Sequence, residues 1–180
     1  MKGFFASCEK YGCLFYPAFY IYTRMYREVV RREVELGNIT SQDVVLNVGC
    51  GAIPFTAIHI SQLTGAKVVA LDKDPEAVKK ARYSLEKFQL NKNIEIYEGD
   101  GVEDIPVPFN VAIIALQVDR KSLVYQNLSN QTNGKGRLIF RQPVDKFNQE
   151  YGNLSLDLVP DDWVLQNMKT FNYSNLYLTT

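Results

Sequence analysis

Gly49-Cys50-Gly51 follows directly on the apolar run Val44–Val48, and Asp72 closes a second apolar run twenty-three residues after Gly49. Two glycines let a backbone turn pass close beneath a ligand, and an acid at the tip of the next strand can accept from both hydroxyls of a ribose. Pro54 opens a helix whose first N–H groups lack partners within it and can face the same ligand. A further acid, Asp100, ends the stretch 94–100 and can accept from the exocyclic amine of a base. These residue types at these spacings describe a nucleoside site. No Gly-Lys-Ser/Thr follows the glycines, which argues against a phosphate-cradling P-loop. The third glycine of the dinucleotide fingerprint is missing as well. Ile53 and Pro54 crowd its place, which suits a ligand without a pyrophosphate.

Such residues meet only if the elements between them alternate strand and helix. The patterning predicts strands at 44–48, 67–71, 94–97, 111–116 and 137–140, with helices at 54–63, 74–90 and 120–129 between them. The unbroken apolar run Val-Ala-Ile-Ile-Ala-Leu over 111–116 suits a strand buried on both faces. Asp74 is a natural N-cap, with Pro75 at the first helical position. Residues 163–171 and 175–179 read as an antiparallel hairpin turning at Tyr173-Ser174, and 143–160 is weakly patterned. The expected fold is α/β: a Rossmann-like, doubly wound, mostly parallel seven-stranded sheet with a C-terminal antiparallel hairpin and an N-terminal helix. With the first three strands parallel, the glycines, Asp72 and Asp100 collect at one carboxyl edge, where open α/β sheets bind ligands.

Residues 1–37 form an N-terminal aromatic helical segment ahead of a domain at 38–180, the whole making one compact unit. A helix is expected over 19–35, with Tyr22, Met25, Tyr26, Val29, Val30 and Glu33 on one face and Gly37 as its stop. Its aromatic stripe suits either a cover over the sheet or a lid over the ligand pocket.

Twenty basic and twenty acidic residues cancel, so no global field draws the chain to nucleic acid or an anionic membrane. No apolar run reaches the ~18 residues of a spanning helix, and no signal-peptide core follows Lys2. A soluble, cytoplasmic protein is expected. Cys8, Cys13 and Cys50 are too few for a disulfide framework, and no second pair completes a metal site around the first two. They read as free thiols with no metal, and His59, the only histidine, reads as structural.

The segments VVLNVGCG, VVALDKDPEAVKKAR, IEIYEGD and FNVAIIAL, in this order and with a terminal hairpin, resemble the class I S-adenosylmethionine-dependent methyltransferases over most of 44–179. The resemblance implies that Gly49, Cys50 and Gly51 lie beside the methionine part of the donor, Asp72 holds the ribose, and Asp100 with Gly101 borders the adenine. Ile53, Lys73 and Ala115 complete the expected donor contacts. Asn47 departs from the family, which often has an acid there. A narrower resemblance joins Gly51-Ala52-Ile53-Pro54-Phe55-Thr56-Ala57-Ile58 to the Gly-x-Leu-Pro-Leu-Thr-x-Ile segment of nicotianamine synthases. Residues 16–22 are similar to the aromatic stretch before their first strand, and 137–141 to their fifth strand with its terminal arginine. Those enzymes transfer the 3-amino-3-carboxypropyl group of S-adenosylmethionine to an amine, and their catalytic glutamate comes from a longer N-terminal helical domain. Glu9, Glu28 and Glu33 are available here, but no motif assigns one of them that role.

By this resemblance the chain is a transferase for a small amine-containing acceptor. Tyr22 or Tyr20 would position or deprotonate the nucleophile, and Arg141 would meet a carboxylate. Methyl transfer to a small molecule is the first alternative. The second is a non-catalytic donor-binding module acting as a homodimer or with a partner chain.

Overall fold

The computed structural model describes residues 16–180 apart from 88, 91, 104, 106 and 155–157, with side chains from residue 24 onward. Cys8, Cys13, Glu9 and the side chains of Tyr20 and Tyr22 lie outside the described residues. The first element is the helix α1 (Tyr16–Leu36). There follow β1 (Val44–Val48), α2 (Phe55–Thr64), β2 (Lys67–Asp72), α3 (Pro75–Lys87), β3 (Ile94–Glu98), β4 (Val111–Ile114), α4 (Lys121–Gln131) and β5 (Arg137–Pro143). A 3-10 turn (Asp145–Phe147) and a short helix α5 (Asn148–Tyr151) lead to the strands β6 (Asp162–Leu165) and β7 (Phe171–Leu178).

One seven-stranded sheet runs in the order β3-β2-β1-β4-β5-β7-β6. The first five strands are parallel, and β7 and β6 add on antiparallel. The sequence order reverses between β1 and β4, and that switch point opens the crevice of a doubly wound sheet. Alternate side chains of each strand feed two cores. Val45, Val68, Ala70, Ile113 and Ile139 pack with Val30, Ile60 and Val78 beneath α1, α2 and α3. Leu46, Val69, Ala112 and Phe140 pack with Val124 and Leu128 of α4 on the other face. With both faces covered, β1, β2 and β4 read as continuous apolar runs.

The local signals act much as read, with instructive exceptions. Asp74 Oδ1 accepts from the Glu76 N–H at 3.0 Å and starts α3. Helix α2 ends on Gly65, left-handed at φ 74°. Helix α1 ends differently from the expected glycine stop, because Asn38 takes the left-handed conformation (φ 47°). The Ile39 N–H then closes on the Val34 carbonyl at 2.9 Å. Gly37 is needed for space instead, since a Cβ there would stand 2.9 Å from Ile139 Cδ1. Met25, expected on the inner stripe of α1, is half exposed.

The hairpin is where the sequence misled most. Its reversal lies between Leu165 and Phe171, and the expected Tyr173-Ser174 turn is the middle of β7, with Ser174 opposite Arg141 of β5. A serine reads as a turn former because its hydroxyl commonly bonds nearby backbone. Here that hydroxyl is buried and serves a carboxylate 141 residues away, Glu33, at 2.7 Å.

Candidate functional site

The turn after β1 is built around Leu71 and Asp72. The N–H groups of Gly49 and Cys50 both donate to the Leu71 carbonyl at 2.9 Å. The Gly51 N–H donates to Asp72 Oδ2 at 2.7 Å, and the Asp74 N–H to Asp72 Oδ1 at 3.0 Å. An ionised carboxylate offers about four lone-pair sites. Two amides therefore orient Asp72 and leave each oxygen able to accept once more, as a vicinal diol requires. Gly49 and Gly51 are both left-handed, at φ 78° and 69°. A Cβ on Gly49 would stand 2.8 Å from Val118, whereas one on Gly51 would meet nothing within 4 Å. The space over Gly51 is where a ligand can press against bare backbone.

The other expected donor residues ring the same edge. Gly101 follows β3, and a Cβ there would lie 2.9 Å from Val48 Cγ1, so only glycine lets this loop settle onto β1. The Ala115 N–H donates to the Val48 carbonyl at 3.0 Å, which carries β4 into the crevice wall. Asp100 accepts from the Val102 N–H at 3.3 Å and is bonded through Oδ2 to Arg120. Lys73 reaches Asp119 at 2.9 Å, and Ile53 is half-buried beside the glycine turn. Cys50 is buried. Burial first and the neighbouring Asp72 charge second push its thiol up to about 12, so it fills space as a neutral thiol. Asn47, fully buried in β1, donates through Nδ2 to the Ile113 carbonyl at 3.3 Å. A neutral amide suits that dry position, where an ionised acid would be costly.

On the face beneath α1 the structure assembles a polar cluster. Arg141 is 1% exposed, and its Nε and Nη2 donate to the two oxygens of Glu33 at 2.8 Å each. Nη2 also reaches Thr56 Oγ1 at 3.1 Å, and Nη1 donates to the Tyr26 hydroxyl. Gln166 bonds Ser174 Oγ at 3.2 Å and closes the cluster. Burial, the largest single influence, disfavours the charged guanidinium, but the Glu33 charge and the hydrogen bonds to Glu33 and Tyr26 together outweigh it and hold Arg141 above its ordinary range. The carboxylate that Arg141 meets is thus the protein's own, and its expected contact to a substrate becomes a contact to Tyr26. The Tyr26 ring lies 5.9 Å from that of Phe55, at the start of α2 just beyond the glycine turn.

Sequence reasoning missed Asp119, Arg120 and Lys121. A signal was present, because Asp-Arg-Lys follows the β4 run at the carboxyl edge. Lys121 is buried, with Nζ donating to the carbonyls of Leu116 (2.9 Å), Val118 (2.9 Å), Gly152 (3.1 Å) and Tyr151. It clasps the β4–α4 loop to α5. A cavity of about 320 Å³ lies beside this clasp, lined by Gln117, Asp119, Arg120, Tyr151 and Asn153 among others. It borders the glycine crevice without including it. Among the described residues no cluster of three or more His, Cys, Asp or Glu side chains could hold a metal ion. Among them, too, no helix is long and apolar enough to cross a membrane.

Burial pushes Lys121 down to about 8, with Asp119 opposing. In the folded chain the proton is bound less tightly than in the unfolded chain, where a lysine titrates near 10.4. The benefit to stability is complete above the unfolded value and is lost as pH falls through about 8. The difference in unfolding free energy, wild type minus Lys121→Met, should therefore rise between pH 7.5 and 9.5 in denaturant titrations. A falling difference would show that the four carbonyls favour the ammonium more than burial opposes it.

Comparisons with known proteins agree with this geometry. Residues 39–173 match the model of the family described as methyltransferase domain. The L-histidine 2-aminobutanoyltransferase of Yersinia pestis is 28% identical over 106 residues, covering 58% of this chain and 40% of that protein. Among solved structures, MtNAS in complex with MTA and tNA superposes with a TM-score of 0.79 at 23% identity, over 91% of this chain and 62% of that one. A mutant of MtNAS is also solved in complex with S-adenosylmethionine. An RNA methyltransferase from Salinibacter ruber, in complex with S-adenosyl-L-homocysteine, gives 0.68 at 20% identity, over 84% of this chain and 90% of that one. The same fold thus serves a protein named for RNA, so the fold by itself does not exclude nucleic acid. The chain spans 40% of the curated relative and under two thirds of MtNAS. With a parallel sheet reversing at β1 and β4, a glycine turn locked to Asp72, and a family match over about three quarters of its length, this chain belongs to the methyltransferase domain family.

Proposed function

We propose that the chain is an S-adenosylmethionine-dependent transferase that moves the 3-amino-3-carboxypropyl group of the donor to a small amine-containing acceptor. The observation that carries the donor is the pair of free acceptor positions on Asp72 beside the open space over Gly51. A nucleoside lying there offers its ribose diol to Asp72 and its base to the loop of Asp100 and Gly101. The methionine end then runs over Gly49–Gly51 toward α2 and the Tyr26 hydroxyl. MtNAS and the 2-aminobutanoyltransferase support the choice of transferred group over methyl.

The sulfonium is an activated leaving group, so positioning supplies much of the rate. The amine nitrogen attacks the carbon of the aminocarboxypropyl chain that is bonded to sulfur, and that carbon–sulfur bond breaks with its electron pair staying on sulfur. Methylthioadenosine leaves, and the amine sheds its extra proton to the site or to water. Tyr26, braced by Arg141 and Glu33, would orient the amine in this reading, and the Tyr20 and Tyr22 positions lie along the same helix.

The family match favours a second reading, methyl transfer to a small molecule. By-product analysis decides between them. Incubation with S-adenosylmethionine and a panel of amino acids, followed by chromatography of the nucleosides, should yield methylthioadenosine in acceptor-dependent amounts. S-adenosylhomocysteine in its place would establish methyl transfer and remove the aminocarboxypropyl reading.

A further inference from the structure

One ion pair crosses the crevice and a second closes its side. Lys73 directly follows β2, whereas Asp119 belongs to the loop after β4. In the order β3-β2-β1-β4 those strands flank β1, so the 2.9 Å Lys73–Asp119 bridge passes over the end from which Gly49–Gly51 emerge. The second bridge runs from Arg120, in the same loop, to Asp100 beyond β3. The loop of Asp100 has already crossed towards β1, where Gly101 packs against Val48 and Val124, so this bridge ties that loop to the start of α4 at the side of the crevice. With neighbouring strands ~4.8 Å apart, the Lys73–Asp119 bridge covers roughly 10 Å of sheet edge.

Arg120 carries an independent mark. Its φ of 50° is left-handed, a conformation that strains a residue with a Cβ and tends to be kept where function needs it. That backbone starts α4 while its side chain extends to Asp100, and Asp119 beside it is held below the usual carboxylate range, first by its bond to Lys73. Each pair is net neutral, so together they lay side-chain cover over the crevice without setting a like charge against a sulfonium.

We propose that Lys73 and Arg120 are donor-retaining residues: paired with Asp119 and Asp100, they roof the crevice over the ribose and adenine, and the pairs part when the nucleoside leaves. This rests on the reading of the crevice as an S-adenosylmethionine site. All of Lys73, Asp119 and Arg120 are exposed, so their substitution leaves both cores intact.

The test uses the full chain and S-adenosylhomocysteine as the probe, with association and dissociation followed separately by surface plasmon resonance. Exposed ion pairs have small effects singly, so the double variant Lys73→Ala/Arg120→Ala is the informative one. It should release the probe about tenfold faster, with an association rate equal to or above that of the wild type. The charge swap Lys73→Asp/Asp119→Lys rebuilds one bridge and should restore release to within about threefold of wild type. Release changed by less than about twofold in the double variant would overturn the roof while leaving the donor site standing. Slower release would also overturn it, because the pairs would then be obstructing the site. If the wild type shows no binding at millimolar probe, the donor reading itself fails and the roof with it.

Discussion

Arg141→Met should lower the unfolding free energy by about 3–5 kcal/mol, a fall in Tm of roughly 10 °C for a domain of this size. The magnitude follows from what the substitution leaves behind. Glu33 is 0% exposed, and both of its oxygens accept from Arg141 at 2.8 Å. Without the guanidinium, its remaining hydrogen bond among those described is from Ser174 Oγ at 2.7 Å, and a fully buried charge is left uncompensated. A buried ion pair is a poor source of net stability, yet breaking one side of it is severe. The double variant Glu33→Leu/Arg141→Met should therefore recover most of the loss, because Gln166 and Ser174 can still bond each other. Denaturant unfolding monitored by circular dichroism separates the cases. A single-variant loss below about 1 kcal/mol would mean that the pair is hydrated in solution. The comparison also bears on catalysis, since the double variant leaves Tyr26 without its brace while the helix stays docked through Val29 and Val30.

Asp72→Ala should weaken S-adenosylhomocysteine binding by about a hundredfold or more. Two hydrogen bonds from a ribose diol to a carboxylate are each of the charge-assisted kind, worth roughly 1.5–3 kcal/mol apiece. The substitution also releases the Gly51 and Asp74 amides, so the glycine turn loses the anchor that fixes its left-handed residues. Stability should change much less, since the β2 core residues Val68 to Leu71 are untouched and buried. Calorimetry beside a thermal melt reads both quantities. Affinity within about threefold of wild type would place the nucleoside elsewhere on the sheet edge.

The meeting of the glycine turn with Asp72 was legible because it is local. A strand, a glycine turn and an acid twenty-three residues on are held together by one βαβ unit, whose geometry hardly varies. The same locality explains the agreement at Asp74. The misreadings have a common cause in distance. Ser174 reads as a turn residue because its partner Glu33 stands 141 residues away, and Arg141 reads as a contact for a substrate carboxylate although Glu33 supplies one from 108 residues away. The crossing of Lys73 to Asp119 was equally hidden, because two exposed charges 46 residues apart carry no periodic mark. Gly37 reads as a helix stop in sequence, yet its missing side chain is required by Ile139 on another element.

The alternation of elements, the parallel sheet with an antiparallel end, and the gathering of Gly49, Gly51, Asp72 and Asp100 at one carboxyl edge are all written in the sequence. Each of these depends on periodicity, turn conformation or short spacing, which are properties of neighbouring residues. Only the tertiary structure decided what the isolated charges do. Burial and strand order set Arg141 against Glu33 beneath α1, and they carry Lys73 across the crevice to Asp119. A charge acquires its role from the medium around it and the partner opposite it, and both are fixed only when the chain has folded.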